Sequence, residues 1–217
     1  MESYAIIGFG TAGYHAARAI READKEGKID VFSNTGEAPY NPMLTTYYAS
    51  GKLSYEAMFP FGSLEEIKRE LDIRMVSQPV VELRAKEHMI KTAEGIWGPY
   101  GKILISAGAS AIAPRIEGLD GKDCFLMRTC QDALRLKKRL AEKNVKSAVV
   151  VGASMVGIKV VELLADQDIQ TVLADLAPYM FPTAAYENVA HEIERRLQAR
   201  GVRLLFQNTV ARVLDGP

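Results

Sequence analysis

The sequence predicts an α/β protein built from two Rossmann-like dinucleotide-binding domains. A short apolar strand at residues 4–7 runs into the glycine turn GFGTAG at residues 8–13, and a helical stretch and a second strand follow. The same order of strand, glycine turn, helix and strand returns at residues 148–175. Units of this kind form parallel sheets. The duplication therefore predicts two such sheets.

Local patterns predict the elements of the first half of the chain. The elements are a strand at 4–7, a helix at 14–26, a strand at 29–32, an irregular segment at 34–62, a helix at 63–71 and strands within 73–92 and 102–106. Ser63 and Glu66 have the spacing of a capping box, which marks the start of the second helix. The irregular segment contains three prolines, and long irregular stretches in compact domains are usually functional.

The second half repeats the pattern after a break rich in proline, glycine and charge near residues 114–121. Its predicted elements are a helix at 129–143, a strand at 148–151, a helix ending near 167, a strand at 171–175, a helix at 183–200 and a strand at 202–206. The break divides the chain into predicted domains at 1–115 and 116–217.

Composition excludes several classes of protein. The 217 residues include 27 basic and 27 acidic residues, 48% hydrophobic residues and two cysteines. Balanced charge argues against nucleic acid or an anionic membrane as a partner, and no apolar run approaches the roughly 18 residues of a spanning helix. The N-terminus lacks the basic region of a signal peptide. We therefore expect a cytoplasmic protein.

The first glycine turn has the chemistry of a dinucleotide site. In this pattern Gly8 permits a tight bend, Gly10 lets the backbone approach a pyrophosphate, and Gly13 lets helix and strand pack closely. The start of the helix, which includes Thr11 and Ala12, supplies N–H groups and the positive end of a dipole. The alternative is an accidental glycine cluster, but this turn stands between a predicted strand and a helix, as the motif requires.

The strand after the first turn ends without an acid. Ser33 stands at that end, and Asp30 should point to the opposite face because side chains alternate along a strand. A contact with the ribose would then come from Ser33, Asn34 or the backbone.

The second glycine turn differs from the first at its middle position. Ser154 replaces the glycine there, between Gly152 and Gly157, and Val156 lies beside it. Asp175 ends the next strand, where an acid can accept hydrogen bonds from ribose hydroxyls and would repel a 2′-phosphate. We therefore predict binding of NADH, with NADPH less favoured. The alternative is that Asp175 is an ordinary acid at a strand end.

Several separated motifs resemble one family. The turn at 8–13, the strand YGKILISAGA at 100–109, the stretches GLDG at 118–121 and RT at 128–129 and the turn at 152–157 are similar, in this order, to motifs of FAD-dependent pyridine nucleotide-disulfide oxidoreductases. The resemblance implies that 1–115 binds FAD, with Val80, Ala107 and Gly108 among its contacts, and that 116–217 binds NADH.

The loop at residues 38–46 is similar to that of the nitrite, rubredoxin and ferredoxin reductase branch, where it lies beside the isoalloxazine. The resemblance therefore places Thr45 and Thr46 near the flavin. Pro42 replaces an arginine of this loop. Thr46 stands where the branch that reduces disulfides or peroxides has a redox cysteine, so thiol chemistry cannot run from this position.

The function implied by the resemblance is an FAD-dependent oxidoreductase that passes electrons from NADH through FAD to a protein or inorganic acceptor. The hydride step needs no acid or base, so no catalytic side chain is named. Lys159 replaces the family's glutamate after the second turn. The family's later return segment with its Gly-Asp motif is not found, so the C-terminal part is expected to be missing. The alternative is a catalytically incompetent nucleotide-binding module or a subunit of a split flavoenzyme, and the resemblance allows a homodimer.

Other chemistries find little support. The three histidines are scattered, and no cluster has the spacing of metal ligands, so no metal is predicted. Cys124 and Cys130 do not form a CxxC pair and are interpreted as structural thiols. A serine-hydrolase turn is excluded because Val156 stands where its last glycine must be.

Overall fold

Parallel strands form the centre of each of two units in the computed structural model, which describes residues 1–119 and 123–214. The first unit comprises Met1–Asn41 and Tyr55–Ser110, and the second comprises Pro42–Ser54 and Ala111–Pro217. Part of the predicted flavin loop therefore groups with the second unit. Asp120 and Gly121, from the motif at the predicted domain boundary, lie outside the described residues.

Sixteen helices and strands follow one another in the described residues. They are β1 (Ser3–Ile7), α1 (Thr11–Ala23), β2 (Lys28–Phe32), α2 (Thr45–Ala49), α3 (Leu64–Leu71), β3 (Ile73–Val76), β4 (Val80–Arg84), β5 (Met89–Thr92), β6 (Ile96–Trp97), β7 (Lys102–Ile105), α4 (Cys130–Ala141), β8 (Ser147–Val151), α5 (Met155–Ala165), β9 (Gln170–Asp175), α6 (Glu187–Ala199) and β10 (Arg203–Phe206).

The first unit contains the predicted Rossmann-like sheet. Its four strands are parallel in the order β3-β2-β1-β7. Strands β4, β5 and β6 form a separate antiparallel sheet. Because the strands of the first sheet are parallel, the residues that follow β1, β2, β3 and β7 meet at one edge. The first glycine turn and Ser33 are both at that edge.

Alternation along β2 builds two cores. Ile29 and Val31 are buried in a cluster with residues of α1 and α3. Phe32 is buried in a second cluster, which includes Ile90 and Tyr100. The two clusters therefore cover both faces of the sheet at β2, whereas Leu104 and Ile105 of β7 are 40% and 63% exposed.

Asp30 shares the face of Phe32 and centres a buried polar network. Its carboxylate accepts hydrogen bonds from the Tyr100 hydroxyl at 2.7 Å and from Arg74 Nε at 2.8 Å. Burial, followed by the hydrogen bond to Asp30, raises the pKa of Tyr100. The Arg74 guanidinium lies 5.2 Å from the centre of the Trp97 ring. Asp30 therefore points to the side of the sheet that carries Tyr100, and its partners compensate its burial.

Capping boxes start the helices α3 and α4. Ser63 Oγ accepts from Glu66 N, and the Glu66 carboxylate accepts from Ser63 N at 2.9 Å. Thr129 and Asp132 exchange the same two bonds at α4. The predicted helix starts are therefore correct here to within one residue.

Two other helix starts differ from the predicted ones. α1 begins at Thr11 rather than residue 14, because the glycine turn itself continues into the helix. α6 begins at Glu187 rather than residue 183. The amides of Ala184 and Ala185 both donate to Phe181 O, and this separate turn uses the residues that the pattern assigned to the helix.

The second unit has a parallel sheet in the order β10-β9-β8. Segment Pro42–Ser54 joins this unit through α2, which packs on α4 and α5. Lys137 Nζ lies 3.9 Å from the centre of the Tyr48 ring, and Lys52 Nζ lies 3.3 Å from Asp166 Oδ2. Tyr48 and Ala49 of α2 are buried.

Replacing Tyr100 by phenylalanine should lower the free energy of unfolding of the first unit by about 1 kcal/mol, because Asp30 loses a buried hydrogen bond. Trp97, the single tryptophan, lies beside this network, so its fluorescence during urea unfolding reports on this unit. Tyr186→Phe is the matched control, since Tyr186 is 83% exposed. Equal unfolding midpoints for Tyr100→Phe and the unchanged protein would contradict the expected role of the network.

Candidate functional site

The first glycine turn places a helix N-terminus at the sheet edge. Gly8 follows β1 with φ +98°, and its amide donates to Phe32 O at 2.8 Å. Gly10 is the N-cap residue of α1, and Tyr14 N donates to its carbonyl at 3.0 Å. The first amides of a helix have no partner within it. The amides of Thr11, Ala12 and Gly13 are thus grouped at the positive end of the helix dipole.

Packing requires glycine at two of the three glycine positions of this turn but not at the third. A Cβ on Gly8 would overlap the Ser106 carbonyl, and one on Gly13 would overlap the Gly8 carbonyl. A Cβ on Gly10 would meet no atom within 4 Å, and its φ of −86° is open to any residue. The fold therefore requires Gly8 and Gly13 but gives no reason for Gly10. A ligand that approaches the backbone closely supplies that reason, so the turn fits a dinucleotide pyrophosphate.

The predicted residues at the end of β7 lie beside this turn. Ser106 Oγ donates to Gly8 O at 2.9 Å. Ala107 and Gly108 follow it and are exposed, and Gly108 has φ +70°. Ser106 was not predicted as a site residue. Its position after an apolar strand was visible in the sequence, but its bond to the turn was not.

The residues at the ends of β2 and β3 differ in exposure. Ser33 is buried, its amide donates to Val76 O at 3.0 Å, and its hydroxyl lies 3.1 Å from Thr35 Oγ1. Asn34 is exposed. Val80 begins β4 and packs against the cluster of Phe32. Asn34 is therefore the more accessible of the two residues predicted to contact the ribose.

The second glycine turn repeats the geometry of the first. Gly152 has φ +106°, and its amide donates to Ala174 O at 2.9 Å. A Cβ on Gly157 would overlap the Gly152 carbonyl. Ser154 is the N-cap residue of α5 with extended backbone, and its side chain makes no capping hydrogen bond. The serine occupies the position where the fold leaves the residue type open.

Asp175 holds the second turn from the end of β9. Its carboxylate accepts from Ala153 N at 2.6 Å and from Ala177 N at 2.7 Å. Each carboxylate oxygen can accept a further bond, so the group can still receive ribose hydroxyls. Sequence reasoning identified Asp175 but missed its bond to the turn, because both partners are backbone amides.

The segment after Asp175 is attached to α6. Glu194 is buried and accepts from Met180 N at 2.9 Å and lies 2.8 Å from His191 Nδ1. The hydrogen bond to Glu194 raises the pKa of His191. The bond from Met180 N to Glu194 therefore fixes the backbone of the segment that follows Asp175.

A cavity of about 690 Å³ lies within the second unit, and β8 and the glycine turn after it form part of its wall. Four predicted residues line it, namely Gly152, Ser154, Val156 and Gly157. Asp175 is not among its lining residues. Much of the remaining wall is apolar and includes Val149 and Val151, which are 59% and 48% exposed.

Thr45 and Thr46 belong to the second unit, whereas the first glycine turn belongs to the first. Both threonines are buried, and Thr45 Oγ1 donates to Pro42 O at 2.8 Å. The next residue, Tyr47, has its ring centre 5.8 Å from Lys159 Nζ.

Lys159 also lies 2.8 Å from Glu162 Oε2. This hydrogen bond raises the pKa of Lys159. The lysine that replaces the family's glutamate is therefore a paired cation on α5.

Residues 1–119 and 123–214 contain no group of three or more His, Cys, Asp or Glu side chains arranged to hold a metal ion. In the same residues no helix has both the length and the apolar character needed to cross a membrane.

Comparisons with known proteins agree with this geometry. A family model described as pyridine nucleotide-disulphide oxidoreductase matches residues 2–216. An NADH oxidase from Methanocaldococcus jannaschii is 25% identical, with 96% of this chain and 48% of the relative covered. The epsilon subunit of an NADH-dependent phenylglyoxylate dehydrogenase from Aromatoleum evansii is 29% identical, with 97% and 49% covered.

A solved structure shows the same fold. The water-forming NADH oxidase from Lactobacillus brevis, bound to NADH, matches with a TM-score of 0.90 at 20% identity. The match covers all of this chain and 49% of that chain. The chain therefore spans about half the length of the relatives it matches.

Replacing Gly10 by valine should weaken FAD binding by about tenfold or more, because the branched side chain would occupy the approach to the amides of α1. Thermal unfolding of the unliganded protein should change little, since nothing in the fold opposes a Cβ there. Titration followed by flavin fluorescence measures the affinity. Gly95→Val is the matched control, because a Cβ on Gly95 also meets nothing within 4 Å. Unchanged affinity in Gly10→Val would contradict the assignment.

Proposed function

The chain belongs to the pyridine nucleotide-disulphide oxidoreductase family, and we propose that it acts within an FAD-dependent NADH oxidoreductase. The observation that carries the proposal is the pair of matching glycine turns, each of which opens a helix on its own parallel sheet. FAD, when bound, accepts a hydride from NADH and passes electrons to a further acceptor.

The first unit would hold FAD. The amides at the start of α1 bind the pyrophosphate, and Gly10 leaves the space for it. Ala107 and Gly108 line the same sheet edge after β7. Asn34 contributes the polar contact near the ribose in place of an acid.

The second unit would hold NADH. Asp175 accepts the ribose hydroxyls while it holds the turn through Ala153 N, and its charge disfavours a 2′-phosphate. Ser154 narrows the approach to the amides of α5, but its hydroxyl makes no capping bond and can donate to a phosphate. The nucleotide preference is therefore NADH over NADPH.

Electrons would leave the flavin directly for a protein or inorganic acceptor. Thr46 occupies the position of a redox cysteine, so no thiol at that position relays them. The proposed partners are an electron-acceptor protein and a second copy of this chain in a homodimer.

A second candidate is a nucleotide-binding module without catalysis, or a subunit of a larger flavoenzyme. Ser154 and Lys159 favour it, because both change the surroundings of the second turn. The name of the Aromatoleum relative identifies that protein as a subunit.

Anaerobic addition of NADH to the chain reconstituted with FAD tests the proposal. We expect the visible flavin band to bleach, because hydride transfer reduces the flavin. A protein that binds FAD but shows no bleaching would support the noncatalytic module. A chain that binds neither FAD nor NADH would contradict both candidates.

Replacing Asp175 by alanine together with Leu176→Arg should move the nucleotide preference toward NADPH. The change removes the repelling carboxylate and adds a cation at an adjacent residue that is 71% exposed. The ratio of dissociation constants for NADH and NADPH should shift by about tenfold or more. Leu176→Arg alone is the control and should shift it less. An unchanged ratio in the double variant would place the ribose elsewhere.

A further inference from the structure

Glu194 is a carboxylate on the buried face of α6. The buried residues of this helix are Ala190, Glu194 and Leu197, and their spacing is that of a core-facing stripe, where apolar side chains are expected. Glu194 is only 9% exposed. Burying a carboxylate costs free energy unless hydrogen bonds and a charged partner compensate it. An acid at this position therefore indicates a role that an apolar side chain could not fill.

The two oxygens of Glu194 have different partners. Oε1 accepts a hydrogen bond from Met180 N at 2.9 Å, and Oε2 lies 2.8 Å from His191 Nδ1. His191 Nε2 in turn lies 3.4 Å from Glu187 Oε1 on the same helix. Met180 is fully buried. The carboxylate therefore attaches a buried point of the segment after β9 to α6.

The attached segment also contacts Asp175, the residue proposed to accept the ribose hydroxyls. Asp175 Oδ1 accepts from Ala177 N at 2.7 Å, and Oδ2 accepts from Ala153 N of the second glycine turn at 2.6 Å. Met180 follows Ala177 by only three positions. This short stretch of backbone connects the bond at Glu194 to the amide that orients one oxygen of Asp175.

We propose that Glu194 is a positioning residue for the nucleotide of the second unit, because it holds the segment that orients the Asp175 carboxylate. The inference rests on the proposed binding of NADH to this unit. Glu194 acts through the segment and not on the nucleotide. Without its bond the segment can shift, and Asp175 loses the fixed position of Ala177 N. A displaced carboxylate accepts ribose hydroxyls less well and repels a 2′-phosphate less, so the nucleotide preference depends on Glu194 as well as on Asp175.

Calorimetric titration of the FAD-reconstituted chain with NAD⁺ and NADP⁺ tests this role. These nucleotides have the same adenosine halves as NADH and NADPH, and they cannot reduce the flavin. Glu194→Leu removes the acceptor of Met180 N and should lower the preference for NAD⁺ over NADP⁺ by about tenfold. A residue with a merely structural role would weaken both nucleotides alike and leave the ratio of dissociation constants unchanged.

Three further variants sharpen the comparison. Glu194→Gln should retain the ratio, because its carbonyl oxygen can accept the Met180 amide. Glu194→Asp keeps the carboxylate but is one methylene shorter, so it should lose the bond and lower the ratio; it carries the test if Glu194→Leu does not fold. Glu192→Leu is the matched control and should keep the ratio, because Glu192 is paired with Arg196 at 2.9 Å on the same helix.

A double variant shows whether Glu194 acts through Asp175. Asp175→Ala should lower the ratio by itself, because it removes the charge that repels the 2′-phosphate. Adding Glu194→Leu to Asp175→Ala should then lower the ratio no further, since the two changes interrupt one chain of contacts. A further fall equal to that of Glu194→Leu alone would contradict the proposed route.

Two other outcomes would overturn the inference in distinguishable ways. If folded Glu194→Leu or Glu194→Asp shows the same ratio as the unchanged chain, the assignment of Glu194 is wrong while nucleotide binding stands. If the unchanged chain binds neither nucleotide, or binds both alike, the proposed function of the second unit fails together with the inference.

Discussion

The close approach of a helix to the preceding turn is the constraint on which both nucleotide sites depend. Gly13 and Gly157 each lie against the carbonyl of the glycine that opens their turn, where a Cβ would overlap it. The Gly8 amide donates to Phe32 O on the adjacent strand at 2.8 Å, and the Gly152 amide donates to Ala174 O at 2.9 Å. These two contacts together fix where the helix starts relative to the sheet edge. The orientation of the helix N-terminus is therefore a consequence of packing, and the phosphate-binding chemistry follows from it.

Within this constraint the two turns differ at one position where the fold leaves the residue type open. Gly10 and Ser154 are both N-cap residues with extended backbone, so neither residue type is required by local conformation. At the strand ends, the Ser33 hydroxyl lies beside Thr35 in its own segment, whereas the Asp175 carboxylate accepts from Ala153 N of the turn. In the proposed first site the approach to the helix amides is open and the strand end carries no acid. In the proposed second site Ser154 narrows that approach and Asp175 supplies a charged group at the strand end.

Local signals in the sequence predicted most of the fold. The glycine turns and the capping boxes at Ser63 and Thr129 depend on residues within one turn of chain, so their patterns were sufficient. The grouping of Pro42–Ser54 with the second unit was not predictable, because it depends on contacts such as Tyr48 with Lys137 between segments far apart in sequence.

Because Pro42–Ser54 groups with the second unit, a substitution on α5 can also affect this segment. Lys159 lies on the helix that opens the second glycine turn, and its ammonium contacts Tyr47 as well as Glu162. Because the pair with Glu162 raises the pKa of Lys159, the side chain keeps its positive charge at neutral pH. Tyr47 directly follows Thr46, the residue that the family resemblance places near the flavin. A change at Lys159 is therefore expected to affect Glu162 on the same helix and Tyr47 in the segment around Thr46.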